Sequence, residues 1–471
     1  MTSRQREDLL SIFQSALTAV DGRACVRDRL KERPLPGAVY MISVGKAACA
    51  MARGAQDVMG DLIAGALIIT KKGYAEPLPW PVLEAGHPLV DESSLAAGRQ
   101  LIAFVDRIPT DAAVLVLISG GASALVEALP PPISLERFQE INRWILGSGL
   151  DINQYNRIRR RLSRLKGGRL AKLLSPRRVL CLVVSDVPGN DLRAIGSGPL
   201  VADEDLRRPL TIKGLPDLIT EALKHMPPAP APDDACFQNV KREIVATLDN
   251  AKTAAVEAAK KLGYQTFLES SFVSGDALEA GARLATKLLR SDPGTVHVWG
   301  GETTVRLPES PGRGGRNQSL ALAAALVLQD QADVWFLAAG TDGTDGPTDD
   351  AGALVDGATV ARGVHAGLDA RRSLEQADQW TFTTAICEDK CCRHSDIEQR
   401  TDDNRTDDRI WNRAARFFGL FGHVDQAFES DEGKERDERA PDDTLPSGNA
   451  GWHHTFDIQV GRGQKSHPRG Y

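Results

Sequence analysis

The first half of the chain alternates short apolar runs with longer segments whose apolar residues recur at helical spacing. The apolar runs, which predict strands buried on both faces, lie at residues 38–45, 65–73, 113–119 and 178–185. Segments of helical periodicity separate these runs, for example at 46–60 and 91–108. Strands that alternate with helices build βα units, so the pattern predicts an α/β protein with a largely parallel sheet.

A proline-rich stretch interrupts this alternation. It reads KHMPPAPAPDDACF over residues 224–237 and is the best candidate for a linker, because proline-rich segments stay extended and pack poorly. Strand and helix patterns resume beyond it and fade near residue 386, where a charged tail begins. We therefore predict an N-terminal α/β domain at 1–236, a smaller α/β domain at 237–385, and a divergent, disordered tail at 386–471.

The composition limits the kinds of partner that the protein is expected to bind. Hydrophobic residues make up 42% and charged residues 25% of the chain, which is ordinary for a soluble globular protein. The formal net charge of −6 gives no basic surface to attract nucleic acid or an anionic membrane. No apolar run approaches the roughly 18 residues of a membrane span, and the N-terminal segment lacks the pattern of an export signal. We expect a cytoplasmic monomer or homodimer that acts on small molecules.

Two glycine-containing turns of the N-terminal domain are candidates for binding an anion. In a parallel sheet, ligands bind at the carboxyl ends of strands, where helix N-termini and free backbone N–H groups meet. Gly45 and Lys46 follow the first apolar run, and the sequence does not complete a Walker P-loop, because positions 40 and 47 are Tyr and Ala. A solvent-exposed lysine at a helix start explains Lys46 equally well.

The second turn, SGGAS, ends another apolar run. Its candidate ligand-binding residues are Ser119, Gly120, Gly121 and Ser123. Glycines let a backbone approach a phosphate or carboxylate closely, and a helix N-terminus supplies unpaired donors. A tight turn with Ser123 as a helix cap is the simpler alternative. The segment is not a serine-hydrolase elbow, because residue 125 is Leu.

Charged residues of the N-terminal domain provide two further candidates. Asp186 comes directly after a buried strand, where a carboxylate can bind a metal ion or accept a proton from a substrate hydroxyl, unless it serves as a turn or cap residue. The segment at 153–172 carries several basic side chains along a helix, most of which we expect on a solvated face. Arg157 or Lys166 turning inward to an acidic ligand is the alternative.

The second domain offers a similar set of candidates, which again includes both cations and carboxylates. Arg313 and Arg316 lie in a glycine-rich loop before an apolar helix, a setting in which a guanidinium fork suits a phosphoryl group. The other candidates that follow strands or begin this helix are Gly300, Gly301, Glu302, Asn317, Thr341, Asp342 and Asp345. We take Asp342 and Asp345 as metal ligands.

Together the cations and carboxylates suit a magnesium nucleotide that reacts with a small anion, because such catalysis depends on positioning and on neutralising charge. A dinucleotide site is not indicated, since no G-x-G-x-x-G follows a strand with an acidic residue about 20 positions on.

The motifs in this order resemble those of the glycerate 2-kinases, which join an N-terminal glycerate-kinase domain to a C-terminal MOFRL domain. The matching stretches lie within about residues 5–367 and read SVGKAA, GHPLVDESSLAAGRQL, LISGGASALVE, SDVPGNDLRAIGSGP, GGETTV, GRGGRNQSLALAAAL and AAGTDGTDGPTDDAGA. The resemblance implies a Rossmann-like N-terminal domain and an active site in the cleft between the two domains. It also implies phosphorylation of the 2-hydroxyl of D-glycerate by ATP with Mg²⁺, with Lys46 and Arg316 as catalytic residues.

The sequence leaves two alternatives to a glycerate kinase open. Members of the family are often labelled hydroxypyruvate reductases, so an NAD(P)H-dependent reductase is one. The other is a ligand-binding homologue with impaired catalysis, because the tail departs from the family: nothing after DQWTFTTA resembles the usual T-G-P-T-G-T-N-V segment, as after a frameshift or a divergent ending. A zinc site in the tail is disfavoured by the spacing of its candidate ligands, which are Cys387, Cys391, Cys392 and His394.

Overall fold

The computed structural model describes residues 3–131, 133–150, 152–210, 212, 214–385 and 457–462. Two sheets with helices packed on both faces form its framework, as the α/β pattern predicts. No helix within the described ranges is long and apolar enough to cross a membrane. The zinc candidates of the tail lie outside these residues.

The first sheet is entirely parallel. Its strands are β1 (Val39–Val44), β2 (Ile63–Lys71), β3 (Val82–Ala85), β4 (Ala113–Ile118), β5 (Arg178–Val184) and β6 (Val240–Ala246). They are arranged in the order β3-β2-β1-β4-β5-β6, the order of Rossmann-type folds. The central strands form because their apolar runs are buried on both faces against two separate clusters of helices and loops.

The helices that precede β6 include those that connect these strands and cover the sheet. In chain order they are α1 (Ser3–Ala19), α2 (Gly22–Glu32), α3 (Ala48–Met59), α4 (Glu92–Arg107), α5 (Ala122–Leu125), α6 (Leu135–Gly147), α7 (Ile152–Arg161), α8 (Arg169–Leu174) and α9 (Asp217–Lys224). Helix α4 begins at a capping box, in which the Asp91 side chain accepts from the Ser94 N–H and Ser94 Oγ accepts from the Asp91 N–H.

The second sheet is mixed. Its strands are β7 (Gln265–Val273), β8 (Thr295–Gly301), β9 (Trp335–Gly340), β10 (Gly352–Asp356) and β11 (Asp457–Arg462), in the order β10-β9-β11-β8-β7. Its helices are α10 (Leu248–Lys261), α11 (Ala277–Leu288), α12 (Arg316–Leu328), α13 (Thr359–His365), α14 (Ala370–Glu375) and α15 (Gln379–Ala385). Strand β11 runs antiparallel to both β8 and β9, so β8 and β9 point the same way and end at the same edge.

The packing differs from the expected division of the chain in three places. The proline-rich stretch does not separate the sheets, because β6 follows it and pairs with β5 of the first sheet. Helix α1 packs on the second sheet together with α10, although it was expected in the first domain. Strand β11 lies within the tail, where we expected no stable packing, and inserts Ile458 and Val460 into the core of the second sheet. Strand pairing and apolar contact, rather than position along the chain, decide where these segments belong.

Candidate active site

The two anion-binding turns of the first domain lie next to each other. Strands β1 and β4 are neighbours, and the connections that leave them run in opposite directions across the sheet, which opens a crevice at their carboxyl ends. The Lys46 N–H donates to the Gly120 carbonyl at 2.8 Å, so the turn after β1 is joined to the turn after β4. The sequence prediction that both turns lie at one edge is consistent with this geometry.

Glycine is required in both turns. Gly45 has a φ of +137°, and a side chain there would overlap Ser119 Oγ. Ser119 Oγ in turn accepts from the Ala47 N–H at 3.0 Å, which fixes this serine as part of the turn. Gly121 has a φ of +82°, and a Cβ there would lie 3.0 Å from the His87 ring and 3.3 Å from Lys46 Cγ. The loop that holds His87, which sequence reasoning did not select, therefore borders the same crevice.

Ser123 contacts a strained residue that sequence reasoning also missed. The hydroxyl groups of Ser123 and Ser197 are 2.7 Å apart. Ser197 has a φ of +65°, and left-handed backbone at a residue other than glycine concentrates at functional sites. The signal in the sequence was the stretch GSG, where flanking glycines tolerate such a conformation.

An ion pair joins the two domains at this crevice. Lys46 Nζ lies 2.9 Å from Asp342 Oδ2, and the two side chains are 9% and 13% exposed. Burial alone would lower the pKa of Lys46, but Asp342, with Tyr74 and Asp186, outweighs burial and raises it. Burial likewise acts to raise the pKa of Asp342, but Lys46 and, to a smaller extent, Arg316 lower it. Both groups are therefore charged at neutral pH.

Asp342 also has an oxygen available for a ligand. Its Oδ1 atom is buried and accepts no hydrogen bond within the described part of the chain. An ionised carboxylate oxygen of this kind is the type of ligand that Mg²⁺ prefers. No group of three or more His, Cys, Asp or Glu side chains that could hold a metal occurs among the described residues. A metal ion at Asp342 would therefore take most of its ligands from water and substrate.

Arg316 and Glu302 stand beside this carboxylate. Arg316 is the first residue of α12, Glu302 follows β8, and Arg316 Nη1 lies 2.7 Å from Glu302 Oε1. The pair is 16% and 14% exposed. Because the Arg316 charge lowers the pKa of Asp342, the guanidinium faces the same crevice.

Asp345 has a different role from the one expected. Its Oδ1 accepts from the Asn317 N–H at 3.0 Å and its Oδ2 from the Gln318 N–H at 2.8 Å, so it caps the N-terminus of α12. Gly315 is glycine because a Cβ would overlap this carboxylate. Burial raises the pKa of Asp345 to about 6, although the two N–H groups oppose that shift. Both oxygens of Asp345 thus already accept hydrogen bonds, and Asp342 is the better placed metal ligand.

The remaining candidates are at the same edge or support it. Asp186 follows β5, is 9% exposed, and raises the pKa of Lys46, so its charge faces the cleft. Thr341 directly follows β9. Gly301 lets β8 approach Val273, whereas Gly300 makes room for Leu248, so both have packing reasons to be glycine.

The basic residues that sequence reasoning left open have structural partners. Arg157 donates to the backbone carbonyls of residues 205, 208 and 209. Lys166 forms a fully buried ion pair with Glu127. Arg313 stacks on the Trp380 ring at 3.9 Å. None of these three groups is directed at the crevice by the contacts it makes.

Sequence reasoning overlooked Lys71 and Tyr74. Lys71 is the last residue of β2, and its Nζ lies 4.8 Å from the centre of the Tyr74 ring. The Tyr74 hydroxyl is 3.4 Å from Thr344 Oγ1, a second contact between the domains. In the sequence, Lys71 comes at the end of the buried strand in LIITKKG. The adjacent Lys72 made both lysines look like ordinary surface charge.

A Rossmann-type sheet whose strand-end cations meet a carboxylate of a second domain is a two-domain α/β arrangement in which the cleft is the candidate site. Residues 8–213 match the family described as a domain of unknown function (DUF4147), and residues 295–392 match the MOFRL family. Glycerate 2-kinase from Pyrococcus horikoshii is 34% identical over 378 residues, which cover 74% of this chain and 83% of that protein. The chain belongs to this glycerate kinase family.

Two further proteins are similar to this chain, one in sequence and one in sequence and structure. A putative hydroxypyruvate reductase from Agrobacterium vitis is 34% identical over 396 residues, covering 81% of this chain and 90% of that protein. The crystal structure of glycerate kinase from Thermotoga maritima superimposes with a TM-score of 0.74 at 28% identity, covering 98% of this chain and 99% of that chain.

Proposed function

We propose that this protein transfers the γ-phosphoryl group of ATP to the 2-hydroxyl of D-glycerate, giving 2-phosphoglycerate and ADP. The observation that carries the proposal is the contact between Lys46 and Asp342, which brings the strand ends of both domains into one cleft. Relatives named glycerate 2-kinase and glycerate kinase support the choice of reaction. The described residues of the cleft include both cations and carboxylates, and phosphoryl transfer needs charges of both signs.

Each charged group has a distinct task in this reaction. Asp186 accepts the proton of the substrate 2-hydroxyl, whose oxygen attacks the γ-phosphorus while the bond from that phosphorus to the β,γ-bridging oxygen breaks. Lys46 and Arg316 neutralise the charge that the transferring phosphoryl group carries. The SGGAS turn holds the substrate carboxylate, because its glycines allow close approach of an anion to the backbone.

A magnesium ion fits beside Asp342. The buried Oδ1 atom of this residue is the protein ligand that we assign to it. The ion supplies neutralising charge to the β- and γ-phosphates when nucleotide is bound. Lys46, which pairs with the other oxygen of the same carboxylate, keeps that carboxylate ionised and fixes its orientation.

Two assays on the purified protein test the proposal. D-glycerate and Mg-ATP are supplied and ADP is measured by chromatography; separately, hydroxypyruvate is supplied with NADH or NADPH and absorbance is followed. We expect ADP that depends on D-glycerate, with no oxidation of nicotinamide. Nicotinamide oxidation without ADP formation would instead establish the reductase, and ATP binding without either reaction would establish an impaired homologue.

A further inference from the structure

Lys71 is an unneutralised cation at the edge of the active site. It ends β2, which pairs with β1 so that Ile69 lies beside Val44, the residue before the Gly45–Lys46 turn. Thr70 Oγ1 is 3.5 Å from the Lys46 carbonyl, which fixes the spacing of the two strand ends. The positive charges of Lys46 and Lys71 are therefore held close together, and the Lys46 charge acts to lower the pKa of Lys71 while Asp342 acts to raise it.

The two lysines differ in their partners. Lys46 is paired with Asp342, whereas Lys71 forms no ion pair with any residue that the structure describes. Its amine lies 4.8 Å from the centre of the Tyr74 ring, whose face attracts a cation without neutralising it. Burial, followed by the Lys46 charge, lowers the pKa of Lys71, so its surroundings stabilise the charged amine less well than water does.

A partly buried ammonium group beside a like charge costs stability unless a ligand compensates it. Groups in this situation concentrate at binding and catalytic sites, because the missing counter-charge arrives with the substrate. The buried Tyr74 ring covers one side of the amine, and its hydroxyl contacts Thr344 of the second domain. Lys71 therefore lies beside a contact between the two domains, within electrostatic reach of the Lys46 and Asp342 charges that border the cleft.

We propose that Lys71 binds an anionic oxygen of the ligand in this cleft, next to Lys46. The inference rests on the proposed kinase function for the identity of the ligands, which are a phosphate of ATP and the carboxylate of D-glycerate. Both present the same chemistry to an ammonium group, and separate binding measurements distinguish them.

The adjacent lysine provides a matched control. The Lys72 side chain pairs with Asp91 at 2.7 Å and is 61% exposed. Lys71→Met and Lys72→Met thus remove the same charge from neighbouring positions. Lys71→Arg keeps the charge and reports whether charge alone restores binding.

Calorimetric titration of each protein with Mg-ATP alone and with D-glycerate alone tests the proposal. We expect Lys71→Met to weaken binding of one of the two ligands at least tenfold, Lys71→Arg to recover part of that loss, and Lys72→Met to bind as the wild type does. The ligand that loses affinity is the one whose anionic oxygen Lys71 holds. Unchanged affinity of Lys71→Met for both ligands would overturn the proposal.

Thermal unfolding separates this role from a structural one. Removing an uncompensated cation should leave the melting temperature of the free Lys71→Met protein unchanged or raise it, while the shift produced by ligand becomes smaller. A lower melting temperature with an unchanged ligand-induced shift would show that Lys71 serves the fold instead. If the wild type binds ATP but does not phosphorylate D-glycerate, the kinase proposal fails, while the ATP titrations still decide the role of Lys71.

Discussion

The ion pair between Lys46 and Asp342 should couple the two domains energetically. Two unit charges 2.9 Å apart attract by about 6 kcal/mol at an effective dielectric constant of about 20. Much of this is offset by desolvation, but removing one partner leaves the other charge buried and unpaired, which typically costs about 3–5 kcal/mol. We therefore expect Lys46→Met and Asp342→Asn each to lose about 3 kcal/mol of stability.

The double variant should lose clearly less than the sum of the single variants, because it leaves no unpaired charge. We expect a coupling energy of about 2–3 kcal/mol from urea denaturation of the four proteins. Losses that add to within about 0.5 kcal/mol would refute the direct interaction. Tyr40→Phe, at a partly buried position of β1 that packs on the Phe104 ring, serves as a control that should not couple to Asp342.

Four other outcomes follow from the site and the second sheet. Gly45→Ala should lose more than about 2 kcal/mol of stability, measured by urea denaturation, because its φ of +137° and its approach to Ser119 both exclude a side chain. Burial raises the pKa of Asp345 from 3.8 to about 6, so the folded protein binds this proton more tightly than the unfolded chain does. The free energy of unfolding should therefore rise by up to about 3 kcal/mol as pH falls from about 6 to 4. Asp345→Asn should abolish this rise, as measured by denaturation curves across the same pH range. Arg316→Ala should lower kcat about a hundredfold or more in protein that circular dichroism shows to be folded, and a near-normal rate would remove its role. Val460→Asp, which puts a charge in the core of the second sheet, should prevent folding, whereas an unaffected melting temperature would mean that β11 does not occupy its place.

The residues at the strand ends could be found from sequence because two simple patterns coincide. Continuous apolar runs identify buried parallel strands, and the polar residues that follow them must lie at the carboxyl edge. Lys46, Asp186 and Asp342 were identified in this way, and the structure places them around one cleft. Their mutual contact could not be foreseen, because 296 positions separate Lys46 from Asp342 in the chain.

Other features depend on tertiary contact that leaves no local signal. Asp345 resembles Asp342 in sequence, yet it caps α12 because the Gly314–Gly315 segment brings the helix start against it. The short segment DIQVGR has little apolar character, so its place between β8 and β9 is evident only from the pairing. Lys71 differs from Lys72 solely in what surrounds it.

Phosphorus NMR of the reaction mixture shows which hydroxyl group of glycerate carries the transferred phosphate. The purified protein is incubated with D-glycerate and Mg-ATP, and the position of the transferred phosphate is read from its coupling to the protons of glycerate. We expect 2-phosphoglycerate and ADP in equal amounts from the wild type, and neither in appreciable amount from Lys46→Met. Phosphate on another hydroxyl, or equal product from the folded Lys46→Met protein, would contradict it.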